Sequence, residues 1–138
     1  MLGGWILLLI ACATTTRTMM APPAVAGAQF VGSATCAACH AELNAVFHDS
    51  THARLQFEGD TTEFIGCESC HGPGSLHMAS FGQPGTIVNP RRSPEACFQC
   101  HLDKHGEFRL PNSHPVLAGT VTCVDCHEPH AGDVIIGG

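Results

Sequence analysis

The sequence contains no tyrosine and one tryptophan, and charged residues make up only 13% of its 138 positions. Bases are the scarcest of these, six against twelve acids, for a formal charge of -6. A chain so poor in cations has no basic face to neutralise phosphates, which excludes nucleic acid as a partner. Low charge combined with 44% hydrophobic residues also excludes intrinsic disorder, which needs the opposite balance. No apolar run reaches the roughly eighteen residues that span a bilayer. Nucleophile-elbow, phosphate-loop and dinucleotide-binding patterns are missing too. What is abundant is sulfur and imidazole, with nine cysteines and ten histidines. Chains rich in both bind metal, carry cofactors, or are stapled by disulfides.

The first 28 residues read as a signal or targeting segment and stand apart from the domain over 29–138. Trp5-Ile6-Leu7-Leu8-Leu9-Ile10-Ala11 is an apolar core of secretory length. Two exits are open. Ala26-Gly27-Ala28 is a small-x-small site that would release a chain starting at Gln29. Leu9-Ile10-Ala11-Cys12 resembles a bacterial lipoprotein box, in which Cys12 is acylated and the following residues become a tether. The second exit accounts for the odd ninth cysteine and for the polar Thr14-Thr15-Thr16-Arg17. Either way the chain is exported: to the periplasm, or to a membrane anchor if Cys12 is lipidated. Contact with membrane is expected only in the lipidated case.

The other eight cysteines form four pairs, each followed at once by histidine: Cys36-Ala37-Ala38-Cys39-His40, Cys67-Glu68-Ser69-Cys70-His71, Cys97-Phe98-Gln99-Cys100-His101 and Cys123-Val124-Asp125-Cys126-His127. This is the C-x-x-C-H pattern of c-type haem attachment. Thiols at i and i+3 share one face of a helical turn and can reach the two vinyl groups of a haem, and the imidazole at i+4 ligates its iron. The competing readings fail on number. Zinc needs four ligands per ion, and the recurring histidines would have no purpose. Disulfides at i, i+3 are strained and close a tiny loop. Thioredoxin-like sites come singly. The cofactors implied are four haem c groups, with Cys36, Cys39, Cys67, Cys70, Cys97, Cys100, Cys123 and Cys126 attached and His40, His71, His101 and His127 as proximal iron ligands.

Six histidines remain for the distal positions: His48, His52, His77, His105, His114 and His130. Met78 is the only methionine downstream of residue 28, so histidine must serve most sites. His77 follows the Gly72-Pro73-Gly74 turn, His130 follows Pro129, His114 precedes Pro115, and His52 lies past the first helix. These four are the expected distal ligands. His48, on that helix, and His105, in a polar turn, read as ordinary surface histidines, and Met78 as a packing residue.

The motifs begin 31, 30 and 26 residues apart. Each segment is too short to bury a core of its own, so the haems must provide it. Ser33 or Thr35 can cap a helix through Ala41, Leu43, Val46 and Phe47. Ser93-Pro94-Glu95 opens a helix through Cys97 to Leu102, and Thr122 can cap the last motif. Residues 79–94 are rich in Gly and Pro and read as loop; Thr86-Ile87-Val88 could be a short extended piece. The expected fold class is mostly irregular chain with short α-helices around covalently bound haems and little or no β-sheet.

Cys67 to Gly74 with His77, then His114-Pro115-Val116, then Cys123 to His130 resemble the repeats of periplasmic multihaem cytochromes of the MtrA/DmsE type. Phe30-Val31-Gly32-Ser33 with Cys36 to His40, and Ser50-Thr51-His52-Ala53, are similar to the opening of many such chains. The resemblance covers about residues 30–132. It implies bis-histidine, low-potential haems, the same distal set of His52, His77, His114 and His130, and an electron relay. Those relatives carry about ten haems, whereas this chain has four.

Four haems on 110 residues must lie close together and pass electrons along a row. The expected function is therefore electron transfer in anaerobic respiration or extracellular electron transfer. The partners would be redox proteins, either donor and acceptor cytochromes or a membrane quinol dehydrogenase, or a larger haem assembly. Excess acid implies a basic patch on a docking partner. Arg91-Arg92 is either a propionate partner or a solvated doublet. The alternative function is a multihaem reductase or oxidase of a small nitrogen or sulfur compound, which needs one open coordination position. Glu107 and the other scattered acids read as solvated surface.

Overall fold

The computed structural model describes residues 23–54, 66–131 and 133–134. The apolar stretch 5–11 and Cys12 lie outside the described residues. The elements are short because the motifs interrupt them. The helix expected from Ser33 through Phe47 is two helices, α1 (Ser33–Ala37) and α2 (Ala41–His48). His40 sits at the break with φ -112° and ψ 47°, outside the helical region, so the chain continues in a new direction after the motif. The third motif repeats this device: its helix ends early and a second begins beyond His101, which has φ -91° and ψ 53°.

The second motif behaves differently. It is helical throughout as α3 (Cys67–His71) and stops at Gly72, as its Gly-Pro-Gly sequence predicts. Gly72 has φ 66°, and a side-chain carbon there would lie 2.5 Å from the Pro23 carbonyl oxygen, so only glycine fits. A short α4 (Ser75–Ala79) follows and carries His77. Residues 80–94 hold no helix or strand, as expected. Beyond them lie α5 (Glu95–Phe98) and α6 (Leu102–Glu107). His105, expected in a turn, lies inside α6, where the exposed Lys104–Glu107 pair at 2.8 Å supports another helical turn. The fourth motif is a 3-10 turn, Cys123–Asp125. The Thr122 amide and hydroxyl both donate to Asp125 Oδ2, at 2.8 and 3.1 Å. The two-residue strands β1 (His127–Glu128) and β2 (Asp133–Val134) pair antiparallel. The fold class is therefore the expected one, short helices and irregular chain with minimal sheet.

Among the described residues the buried apolar core is only Val88, Ala96, Phe98 and Val116. Leu43, Val46, Met78, Leu102, Leu110 and Leu117 stay exposed, and Phe81 is 97% exposed. Met78, expected to pack, is exposed among the described residues. So small a core cannot by itself offset the entropy of ordering a chain this long.

Polar straps bind the repeats instead. Gln29 and Ser75 exchange hydrogen bonds at 2.8 and 3.1 Å. The Cys67 amide donates to Ser33 Oγ at 3.3 Å, so Ser33 caps the second motif's helix rather than its own. Gln99 Nε2 donates to the Ser69 carbonyl at 2.6 Å. Arg91, read from the sequence as a propionate partner or a solvated residue, is largely exposed and pairs with Asp125 at 2.7 Å.

Candidate functional site

The histidines come together in pairs. His40, at the α1–α2 break, faces His77 of α4 with ring centroids 6.4 Å apart and planes 15° from parallel. His71, the last residue of α3, faces His130 at 6.2 Å and 13°. His101, at the α5–α6 break, meets His52 at 6.3 Å with planes 83° apart. Each pair joins the histidine of one motif to a histidine from a different segment. His52, His77 and His130 all belong to the set expected from sequence.

The separation tests whether a metal fits. Two metal–imidazole bonds of about 2 Å end to end hold the ligating nitrogens roughly 4 Å apart. The half-widths of the two rings supply the remainder of the observed distance. Imidazoles rotate freely about a metal–nitrogen axis, so parallel and perpendicular planes are both compatible with one metal between them. Simple ring packing also occurs at such distances, and the hydrogen bonds at Nδ1 distinguish the two cases.

Four of these rings have a partner for Nδ1. His71 donates to the Val88 carbonyl at 3.0 Å, and His52 to the Pro129 carbonyl at 3.2 Å. His130 is 2.8 Å from Glu128 Oε1. His77 is 3.2 Å from Thr86 Oγ1, whose own proton goes to the Gln83 carbonyl, so the threonine must accept. All four acceptors fix the proton on Nδ1 and leave Nε2 as the bare nitrogen, the arrangement found on metal-ligating histidine. Burial pushes His71 below the usual imidazole range, which also keeps that ring neutral.

The sulfurs lie in chain order. Cys36 lies beside Cys67, Cys97 beside Cys123, and Cys70 near Cys100 and Cys67. Burial first, then the adjoining thiol, pushes Cys36 up to about 11 and Cys97 up to about 12. Burial does the same in direction for Cys70. Thioether formation removes the ionisable proton and with it this cost of burial. An open hollow of about 420 Å³ beside the first motif is lined by Cys39, His40, Ala41, Glu42 and Leu43. Paired imidazoles, half-buried cysteines and uncovered apolar side chains all fit a flat apolar macrocycle holding an iron. Among the described residues no group of three or more His, Cys, Asp or Glu converges to hold a metal, the arrangement a zinc site would need.

The remaining histidines differ. His114 and His127 form no ring pair among the described residues, and His114 lines an open hollow with Glu107, Phe108 and residues 110–113. His105 packs edge-on against buried Phe98 at 5.0 Å, a structural contact. His48 ends α2.

Sequence reasoning missed Glu68. It lies inside the second motif and is 7% exposed. Its Oε1 accepts from the Val31 and Gly74 amides at 3.0 and 2.7 Å, and Oε2 from the Gly32 amide at 2.7 Å. The available signal was an acid between the two cysteines of a motif followed by Gly-Pro-Gly. Nothing in that pattern announces amides arriving from 36 residues away.

Residues 77–128 match the family model described as cytochrome c554 and c-prime. The multiheme cytochrome MtrA of Shewanella baltica (strain OS185) is 26% identical over 98 residues, which are 71% of this chain and 25% of that protein. The chain thus spans about a quarter of that relative's length. No solved structure matches the chain. Among the described residues no helix is long and apolar enough to cross a membrane. The four C-x-x-C-H motifs, the family match and the likeness to MtrA together support a multihaem c-type cytochrome similar to MtrA.

Proposed function

We propose that residues 29–138 form a tetrahaem domain that relays electrons along bis-histidine, low-potential haems, exported behind the targeting segment 1–28. The observation that carries this reading is the three opposed imidazole pairs, His40–His77, His71–His130 and His101–His52. When bound, each haem supplies reversible one-electron chemistry at its iron. The chain's residues would hold each haem through two cysteine sulfurs and a pair of histidines, and would keep substrates away from it. Subtraction leaves His114 to complete the His127 centre. Two residues bearing the motifs' sulfurs meet at each junction between neighbours, which favours a row that follows the chain. Six-coordinate irons suit outer-sphere transfer to protein partners, donor and acceptor cytochromes or a membrane quinol dehydrogenase, in anaerobic respiration or extracellular electron transfer.

The test is intact mass with a pyridine haemochrome spectrum on protein matured in a periplasm. The expected result is four haems per chain, low-spin spectra and no motif thiol open to alkylation after denaturation. Colourless protein with free thiols would end the proposal. Ready carbon monoxide binding by the reduced protein would replace the relay with the reductase reading, because it requires an open iron. The N-terminal mass also decides between a start at Gln29 and a lipidated Cys12.

A further inference from the structure

We propose that the centre between His71 and His130 is the lowest-potential station of the row, and that Glu128 holds it there. This inference rests on the bis-histidine reading above and goes beyond it by ranking one centre. The four Nδ1 acceptors described are not chemically equal. His71 and His52 give their protons to neutral carbonyls, and His77 to a neutral hydroxyl. His130 alone among them faces a carboxylate, Glu128 Oε1 at 2.8 Å. The same oxygen also accepts from the His130 backbone amide at 3.1 Å, which keeps the carboxylate aimed at its own ring.

An anionic acceptor draws the Nδ1 proton toward itself and gives the ring imidazolate character. The opposite nitrogen then donates more strongly to iron, and stronger donation favours the oxidised state. The other axial ring adds to the effect. His71 is also bonded at Nδ1, at 3.0 Å, so both ligands of this centre are strengthened. A second negative charge lies close by, since Glu68 is buried within the attachment motif of this centre. Its three backbone amide donors hold it in place but carry no compensating positive charge. Two cations of the C-terminal half are engaged elsewhere: Arg91 with Asp125, and Lys104 with Glu107 and Asp103. A low station in second place would separate the first centre from the third and fourth by an uphill step.

The test is a reductive potentiometric titration of the mature tetrahaem protein, followed by low-temperature EPR to resolve individual low-spin centres. The variants are Glu128→Gln and His130→Met, with Glu107→Gln as the charge control. The neutral amide that E128Q introduces would still accept from Nδ1, so a merely structural role predicts no change in potential. The expected result is that E128Q moves the most negative of the one-electron transitions upward, while the other transitions, the haem count and the low-spin spectrum stay fixed. E107Q should move none. The signal displaced in E128Q should be the one whose axial ligation changes in H130M. If H130M leaves every low-spin signal intact, the pairing and the ranking both fall. If H130M alters one centre but E128Q leaves the lowest transition in place, or shifts all transitions equally, the ranking alone falls.

Discussion

The second and fourth attachment motifs carry an acid between their cysteines, and the two acids do different work. Glu68 is buried and accepts amides that include Val31 and Gly32, far away in sequence. Asp125 is partly exposed, accepts from Thr122 three residues before it, and meets Arg91 across the surface. The first acid joins two repeats, whereas the second mainly closes a turn. Identical pentapeptide spacing therefore does not impose identical packing. What surrounds each motif decides whether its variable residue becomes a tertiary strap or a local latch.

This contrast can be broken at either end. Glu68→Ala should have the largest effect, because it leaves three amides, one buried and two half-buried, without acceptors. The expected loss is about 3 kcal/mol or more of stability, read as a lower denaturation midpoint of the mature protein, with under-occupied haem at the first two motifs by mass. An unchanged midpoint would mean that Glu68 is no strap. Gly72→Ala should come next, at about 1–2 kcal/mol for a left-handed backbone; crowding against the Pro23 carbonyl adds to this. Asp125→Ala should lower the melting temperature less than Glu68→Ala does and leave all four haems attached. The Thr122 amide and hydroxyl, then Arg91, hold the Asp125 carboxyl below the usual range. A depressed carboxyl stabilises the fold above the unfolded aspartate value near 3.9. That contribution is lost only as pH falls through the lower folded value. The difference between wild type and Asp125→Ala should therefore persist at about pH 5 and vanish in stronger acid. Arg91→Ala should have the smallest effect, since an exposed ion pair contributes little and salt screens it; the check is equal midpoints in high salt.

Much of this was legible beforehand. Fixed-spacing chemistry is local, so the eight cysteines and four following histidines spell out the four C-x-x-C-H motifs directly. The terminator after His71 and the loop, expected over 79–94 and found over 80–94, follow from Gly and Pro for the same reason. Ranking the spare histidines by their neighbours singled out His52, His77, His114 and His130; the fold brings all but His114 opposite motif histidines. The pairing itself was not legible, because His77 faces the first motif's histidine although the second motif's is only six residues away. Pairing depends on how segments cross, and no local pattern encodes that. The kinks at His40 and His101 were missed because helix signals run straight through both motifs. Glu68 and Glu128 were missed because an acid's role depends on which amide or ring reaches it.

The crossed histidines also set a timetable for closing the pairs as the chain is made. His40 appears well before His77, so the first pair waits for the next segment to arrive. His71 waits longest, until His130 is in place. His101 finds His52 already made and can pair at once. A chain halted just short of residue 130 would therefore leave His71 without its partner, while the pairs on both sides of it were already complete.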